Sequence, residues 1–168
     1  MKMPKPTKFH KKLAAALVGD WSGDEIMHPG PMDPKGGKSK GRYRSRLATS
    51  GFTVVQDYEQ TVGGKVTFEG HGVFTYDVNE NCYLWYWFDS MGFVPCTTTK
   101  GQFVGNSIVW TNQSPMGHAR YTHTFLRGGK CAFKIECSED GQQWAPMMDG
   151  LYTKKATKKV AAKKAARK

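Results

Sequence analysis

A chain of 168 residues, 39% of them hydrophobic, is long enough to bury the core of one domain. Its formal net charge is +11, from 25 Lys and Arg against 14 Asp and Glu. Thirteen of these basic residues lie within the first 12 residues or after residue 153, which leaves 12 basic and 14 acidic residues in between. The body of the chain is therefore not a basic protein.

An apolar run from Leu13 to Val18 covers only six residues. It is too short for the core of a signal peptide and far too short to span a bilayer, so we expect a cytoplasmic location. Cys82, Cys96, Cys131 and Cys137 form no C-x-x-C or other metal-ligand spacing. Cys131 and Cys137 are about 20 Å apart within one predicted strand, at ~3.3 Å per residue. We therefore predict buried free thiols.

Residues 7–18 are predicted to form the one helix of the body. Thr7 can cap it and Gly19 can end it. Apolar side chains recur at helical spacing on one face. They are Phe9, Leu13, Ala16 and Leu17.

From Trp21 to Thr153 the pattern changes to short β-rich runs separated by Gly, Asn, Asp and Pro turn signals. No separator is long enough for a crossover helix, so consecutive strands should pair antiparallel. We predict an all-β fold, a single antiparallel up-and-down β-barrel of about ten strands, because closure removes unpaired edges. The runs are 20–28, 41–48, 53–61, 66–77, 82–90, 94–100, 102–105, 107–113, 118–126, 130–138 and 145–153, of which two are short enough to merge or vanish.

A two-residue turn at Ser50-Gly51 predicts the register of one hairpin. It places Tyr43 opposite Tyr58 on one face and opposite charges on the other, as a half-buried antiparallel pair requires. The charged pairs are Arg44 with Asp57 and Arg42 with Glu59. A two-residue turn at Gly63-Gly64 conflicts with this register by one residue, so we predict a β-bulge nearby.

Gly19-Asp20-Trp21 opens the first predicted strand, and Leu151-Tyr152-Thr153-Lys154 ends the last. Together these two ends of the chain resemble the calycin (lipocalin-like) arrangement. In calycins a Trp of the first strand packs beneath a basic side chain of the final one. Trp21 and Lys154 are therefore implied to close the barrel through a cation–π contact of roughly 0.5–2 kcal/mol.

Further motifs follow in a characteristic order: Phe74-Thr75-Tyr76-Asp77, Trp87-Phe88-Asp89-Ser90, Asp140-Gly141 with Trp144, Met147 and Met148, and Tyr152-Thr153-Lys154. Their order and spacing resemble a bacterial calycin-like family catalogued as domain of unknown function 1579. The resemblance covers roughly residues 4–155 and implies the fold without an established activity. A related calycin group binds haem through a His, but its glycine-patterned entry motif is absent, so we predict no cofactor.

We predict two regions: a barrel domain over residues 1–153 that includes the helix, and a disordered Lys/Ala-rich basic tail over 154–168. The tail suits weak, non-specific contact with nucleic acid or an anionic membrane surface, or it serves as a solubilising extension.

The strand from Cys82 to Ser90 is apolar on both faces, which must both be covered. The barrel interior is expected to cover one face, and the N-terminal helix or a partner subunit is expected to cover the other. The family resemblance favours Trp87 and Asp89 facing inward, and alternation places Trp85 on the same face. Asp89 is a candidate to orient a ligand's donor or accept a proton. Alternatively, it caps the turn that follows it.

A two-residue turn at Gly128-Gly129 predicts that Arg120 and Thr122 point into the barrel. A buried guanidinium must be paired, so Arg120 would meet Asp89 or an anionic ligand. A slip of one residue would instead expose Arg120. The histidines assemble into no predicted metal site.

Three hypotheses for the function follow. The first is a barrel that binds a hydrophobic small molecule with an anionic or polar end. The second is a barrel-cavity enzyme for proton transfer or isomerisation with Asp89 as base, and the third an interaction protein tethered by its tail. The residues predicted to bind the ligand are Tyr43, Tyr58, Trp85, Trp87, Asp89, Arg120 and Thr122.

Overall fold

The computed structural model describes residues 3–31, 33–92, 95 and 97–156. One helix, α1 (Lys8–Leu17), precedes ten strands, and a single 3₁₀ turn (Thr49–Gly51) joins the second strand to the third. The strands are β1 (Gly19–Met27), β2 (Gly37–Ala48), β3 (Thr53–Val62), β4 (Lys65–Asp77), β5 (Cys82–Asp89), β6 (Thr99–Val104), β7 (Ser107–Ser114), β8 (Gly117–Leu126), β9 (Lys130–Ser138) and β10 (Ala145–Lys154).

Each strand pairs antiparallel with its neighbours in sequence, and β1 also pairs with β10. The sheet is therefore a closed up-and-down barrel, which confirms the predicted fold. The two short runs predicted around residue 100 form the single strand β6, and β2 begins at Gly37 instead of residue 41. Within the described residues, no helix is long and apolar enough to cross a membrane.

The register of β2 with β3 confirms the predicted hairpin, with Tyr43 opposite Tyr58 and Arg44 opposite Asp57. The predicted bulge is also present: β4 contains one extra residue opposite the step from Gln60 to Thr61. It reconciles the two-residue Gly63-Gly64 turn, which is present as predicted, with the pairing further along the strands. The predicted two-residue turn at Ser50-Gly51 is wrong, because residues 49–52 form a four-residue connection that is centred on the same two residues and keeps the register.

The predicted register of β8 with β9 is wrong by one residue. The connection contains three residues, Arg127 to Gly129, so Leu126 pairs with Lys130 and Arg120 with Glu136. Because side chains alternate across a strand, the shift moves Arg120 and Thr122 to the outer face. The side chains that face inward from β8 are Ala119, Tyr121, His123 and Phe125.

Helix α1 closes one end of the barrel. Leu13 and Leu17 are each 1% exposed, and the Phe9 ring stacks on Tyr76 with 4.4 Å between the ring centroids. One prediction placed the helix against the outer face of β5. The helix does not lie there, and Phe88 on that face is 50% exposed.

Trp21 and Lys154 are direct neighbours across the β1–β10 pair. Lys154 Nζ lies 5.4 Å from the centre of the Trp21 ring, and Trp21 Nε1 donates a hydrogen bond of 3.1 Å to the carbonyl oxygen of Leu17. The first and last strands and the end of α1 therefore meet at one buried indole ring.

Large side chains fill much of the barrel because inward-facing glycines leave them room. A Cβ added at Gly101 would stand 2.4 Å from Trp110 Cε3, and one at Gly70 would stand 2.1 Å from Trp87 Cζ2. These glycines therefore accommodate rings of the neighbouring strands.

Two of the described thiols, Cys82 and Cys131, are buried and free as predicted, and burial raises the pKa of Cys131 to about 12. Cys137 is exposed, contrary to the prediction. It is the second-to-last residue of β9, at the end of the barrel away from α1.

Candidate ligand-binding site

We call the end of the barrel opposite α1 the mouth. Four aromatic residues, which we call the mouth rings, face inward there and are all partly exposed: Tyr58, Phe68, Trp87 and Tyr121. The Tyr58 centroid lies 6.1 Å from those of Phe68 and Trp87. Inward rings beneath the helix differ, since Phe74, Tyr76 and Tyr83 are buried.

Trp85 forms the floor beneath the mouth rings. Its ring meets Trp87 and Tyr121 edge to face, with centroid distances of 5.5 and 5.0 Å. Burial is the main reason why the pKa of Tyr121 is raised to about 12, with smaller effects of Cys137 and Asp89. Tyr121 is therefore a neutral hydroxyl donor at neutral pH.

Asp89 stands at the rim of the mouth and has two structural contacts. It accepts a 3.1 Å hydrogen bond from Trp87 Nε1 and a 3.0 Å bond from the backbone N–H of Met91. The second bond is the turn cap that was one of the two interpretations of this residue. The first fixes the Trp87 ring, so Asp89 also orients the aromatic wall.

Glu25 is a fully buried carboxylate in the same half of the barrel, with 0% of the residue exposed. Its Oε1 accepts hydrogen bonds from the hydroxyls of Tyr58, at 2.7 Å, and Tyr152. Its Oε2 accepts from Ser39 Oγ at 2.7 Å and from Gln60 Nε2 at 2.9 Å. Four neutral donors thus replace the water that the carboxylate loses on burial.

No cation pairs with Glu25 among the described residues. Burial, reinforced by the negative charge of Glu25, raises the pKa values of Tyr58 and Tyr152, which keeps both phenols protonated as donors. Because Tyr58 is also a mouth ring, the network connects the buried carboxylate to the mouth.

The predicted ligand residues fall into three groups in the structure. Tyr58, Trp87 and Asp89 line the mouth, whereas Tyr43 and Trp85 are 5% and 7% exposed and lie deeper in the core. Arg120 and Thr122 lie on the outer face.

Arg120 therefore does not anchor a ligand inside the barrel. Its Nε donates a 2.9 Å hydrogen bond to Glu136, and its guanidinium lies 4.1 Å from the centre of the Trp144 ring. Together with Thr122 it borders an outer cavity of about 620 Å³. The proposed partnership of Arg120 with Asp89 is wrong, because the two side chains lie on opposite faces of the barrel wall.

Sequence reasoning missed Glu25, although a signal for it was present. Trp21 was predicted to face inward. Residue 25 lies four residues further along β1, so its side chain points to the same side of the strand. The basic tail was predicted over residues 154–168. Most of it, residues 157–168, lies outside the described part of the chain.

A closed antiparallel barrel with a helix across one end and an aromatic mouth at the other defines a calycin-like protein. Residues 5–154 match the family described as a protein of unknown function, DUF1579. The chain belongs to that family, as its motifs indicated.

Sixteen solved chains match this fold. One is Rv2717c from M. tuberculosis, with a TM-score of 0.64 and 10% identity over 90% of this chain and 100% of that one. Another is the S-type phycobiliprotein lyase CPES from Guillardia theta, with a TM-score of 0.60 and 11% identity over 92% of this chain and 100% of that one. At such identities the likeness shows the fold alone. No curated protein matches the chain.

Proposed function

We propose that this protein binds a small, apolar molecule in the mouth of its barrel. The observation that carries the proposal is the set of mouth rings, which face inward and yet remain accessible to solvent. Concave, apolar sites with a few fixed polar groups are typical of small-molecule binding. The likeness of the fold to a phycobiliprotein lyase fits a role in handling small molecules.

The charges around the mouth favour a neutral polar end, or one that donates hydrogen bonds, over an anionic end. Two carboxylates, Glu25 and Asp89, face this half of the interior. Its inward-facing positions in the described strands include no Lys or Arg. An anion would have to be desolvated beside these negative charges, which is unfavourable. The anionic alternative, which depended on an inward Arg120, therefore loses its support.

We place this binding function in the cytoplasm. Cys82 and Cys131 are buried thiols without a disulfide partner in the described part of the chain, and such thiols are stable under reducing conditions.

The neutral dye phenylnaphthylamine tests the proposal, since its emission rises in apolar surroundings. We expect saturable binding to the full chain and about tenfold weaker binding to Trp87→Ala, because a ring–ring contact is lost. Trp144→Ala is the matched control, since Trp144 stacks on Arg120 outside the barrel. Thermal unfolding of both variants checks that they remain folded.

Arg120→Leu should bind the dye as well as the unmodified chain does, because its side chain lies outside the mouth. The proposal fails if the unmodified chain does not bind the dye, or if Trp87→Ala and Trp144→Ala weaken binding equally.

A further inference from the structure

One buried side-chain donor in the barrel, Trp85 Nε1, has no hydrogen-bond partner in the described part of the chain. Four tryptophans face the interior, and three of their indole N–H groups have an acceptor. Trp21 donates to Leu17, Trp87 to Asp89, and Trp110 Nε1 to His123 Nδ1 at 3.2 Å. Trp85 is 7% exposed, and its Nε1 meets no hydrogen-bond acceptor among the described residues.

Such an orphan donor is unfavourable by about 1–3 kcal/mol. Buried polar groups in native proteins are otherwise almost always paired, so an exception indicates a missing partner. The rings of Phe74, Trp87, Trp110, Tyr121 and His123 pack against Trp85, and none of their polar atoms accepts a hydrogen bond from its N–H.

The unpaired group lies next to the proposed site. A Cβ added at Gly72 would stand 3.0 Å from Trp85 Nε1, 3.1 Å from Phe74 Cε2 and 3.3 Å from Trp87 Cε3. The indole N–H therefore lies over a residue without a side chain, between the buried Phe74 ring and a mouth ring.

We propose that Trp85 Nε1 donates a hydrogen bond to a neutral carbonyl oxygen of the molecule bound in the mouth. This inference rests on the proposed function and specifies its ligand class: an apolar ketone, ester or amide. A carboxylate or phosphate also offers acceptors, but its charge would lie in the same half of the barrel as Glu25 and Asp89. A neutral carbonyl satisfies the donor without that repulsion.

Three naphthalenes of similar shape test the inference: acetylnaphthalene, isopropenylnaphthalene, in which a methylene group replaces the carbonyl oxygen, and naphthoate. We expect the ketone to bind about fivefold more tightly than the alkene, the contribution of one ordinary hydrogen bond. Naphthoate should bind more weakly than either. In Trp85→Phe the ketone should lose its advantage, while Trp144→Phe should retain it.

The unmodified chain gives a second readout that does not depend on whether Trp85→Phe folds. Proton–nitrogen NMR spectra resolve the indole N–H groups, and Trp85 can be assigned through its ring contacts to Phe74 and Tyr121. The ketone should move the Trp85 indole proton downfield relative to its position with the alkene.

Equal binding of ketone and alkene, with the same Trp85 resonance in both complexes, would overturn the inference and leave the proposed function standing. Naphthoate binding as tight as that of the ketone would overturn the neutral ligand class. If neither the ketone nor the alkene binds, the proposed function itself fails, and this inference fails with it.

Discussion

Replacing Glu25 with alanine is expected to lower the free energy of unfolding by about 3–5 kcal/mol. The substitution removes the acceptor for four donors, of which Ser39 and Tyr152 are buried and cannot recruit water without opening the barrel. Chemical denaturation followed by Trp fluorescence measures the change. Asp24→Ala is the control, because Asp24 is the preceding residue on β1 and its side chain is 86% exposed. Its effect should stay within about 0.5 kcal/mol.

The same network predicts a coupling with Gly41. A Cβ at this position would stand 1.8 Å from Glu25 Oε1 and 2.6 Å from Glu25 Cδ. Gly41→Ala should therefore destabilise the protein by about 1–3 kcal/mol or more, as overpacking does. Much of this loss should disappear in the Glu25→Ala background. Strictly additive effects in the double-mutant cycle would contradict direct contact between these two residues.

Acidification from pH 7 to pH 4.5 should lower the free energy of unfolding by about 2.5 kcal/mol through His123 alone. Burial lowers the pKa of His123 from 6.5 to about 3. The folded state therefore keeps the ring neutral, while the unfolded chain binds a proton below pH 6.5. The contribution of the neutral His123 ring to the free energy of unfolding is fully present above pH 6.5, and it is lost as the pH falls toward 3.

His123→Asn should flatten this dependence, since Asn keeps an acceptor near the position of Nδ1 for the Trp110 N–H. His118→Asn is the control, because His118 lies on the outer face of β8 and has no ion pair among the described residues, so its replacement should leave the dependence unchanged. His10 adds a loss of the same sign, because burial also lowers its pKa. The free energy of unfolding is measured by denaturation at several pH values between 7 and 4.5. If it falls equally with pH in His123→Asn and in the unmodified chain, the assignment to His123 is refuted.

Much of the fold was predictable because strand alternation and turn chemistry act locally. The bulge in β4 is the clearest case, since two turns that could not share one register required an extra residue between them. The β8–β9 register failed because consecutive glycines permit a turn of two or three residues. The alternation of apolar residues indicates the correct register. Only the three-residue turn places Tyr121 opposite Ile135 and His123 opposite Phe133, so that these side chains share the inner face.

The candidate site was less predictable than the fold. Trp87 and Asp89 were identified because alternation places them on one face of a strand and the family resemblance favoured that face pointing inward. Glu25 required knowledge of which donors meet it, and those donors come from β2, β3 and β10. Sequence spacing carries no information about side chains that meet across the interior of a closed sheet.

The inward glycines have a consequence for how such barrels diversify. Gly70 and Gly101 are matched to Trp87 and Trp110, so the free volume inside a barrel of this strand number depends on which side chains fill it. A chain with small residues at both tryptophan positions would enclose a larger chamber on the same backbone. Selection can therefore resize the compartment by one aromatic substitution at a time, without disturbing the hydrogen bonds that close the cylinder.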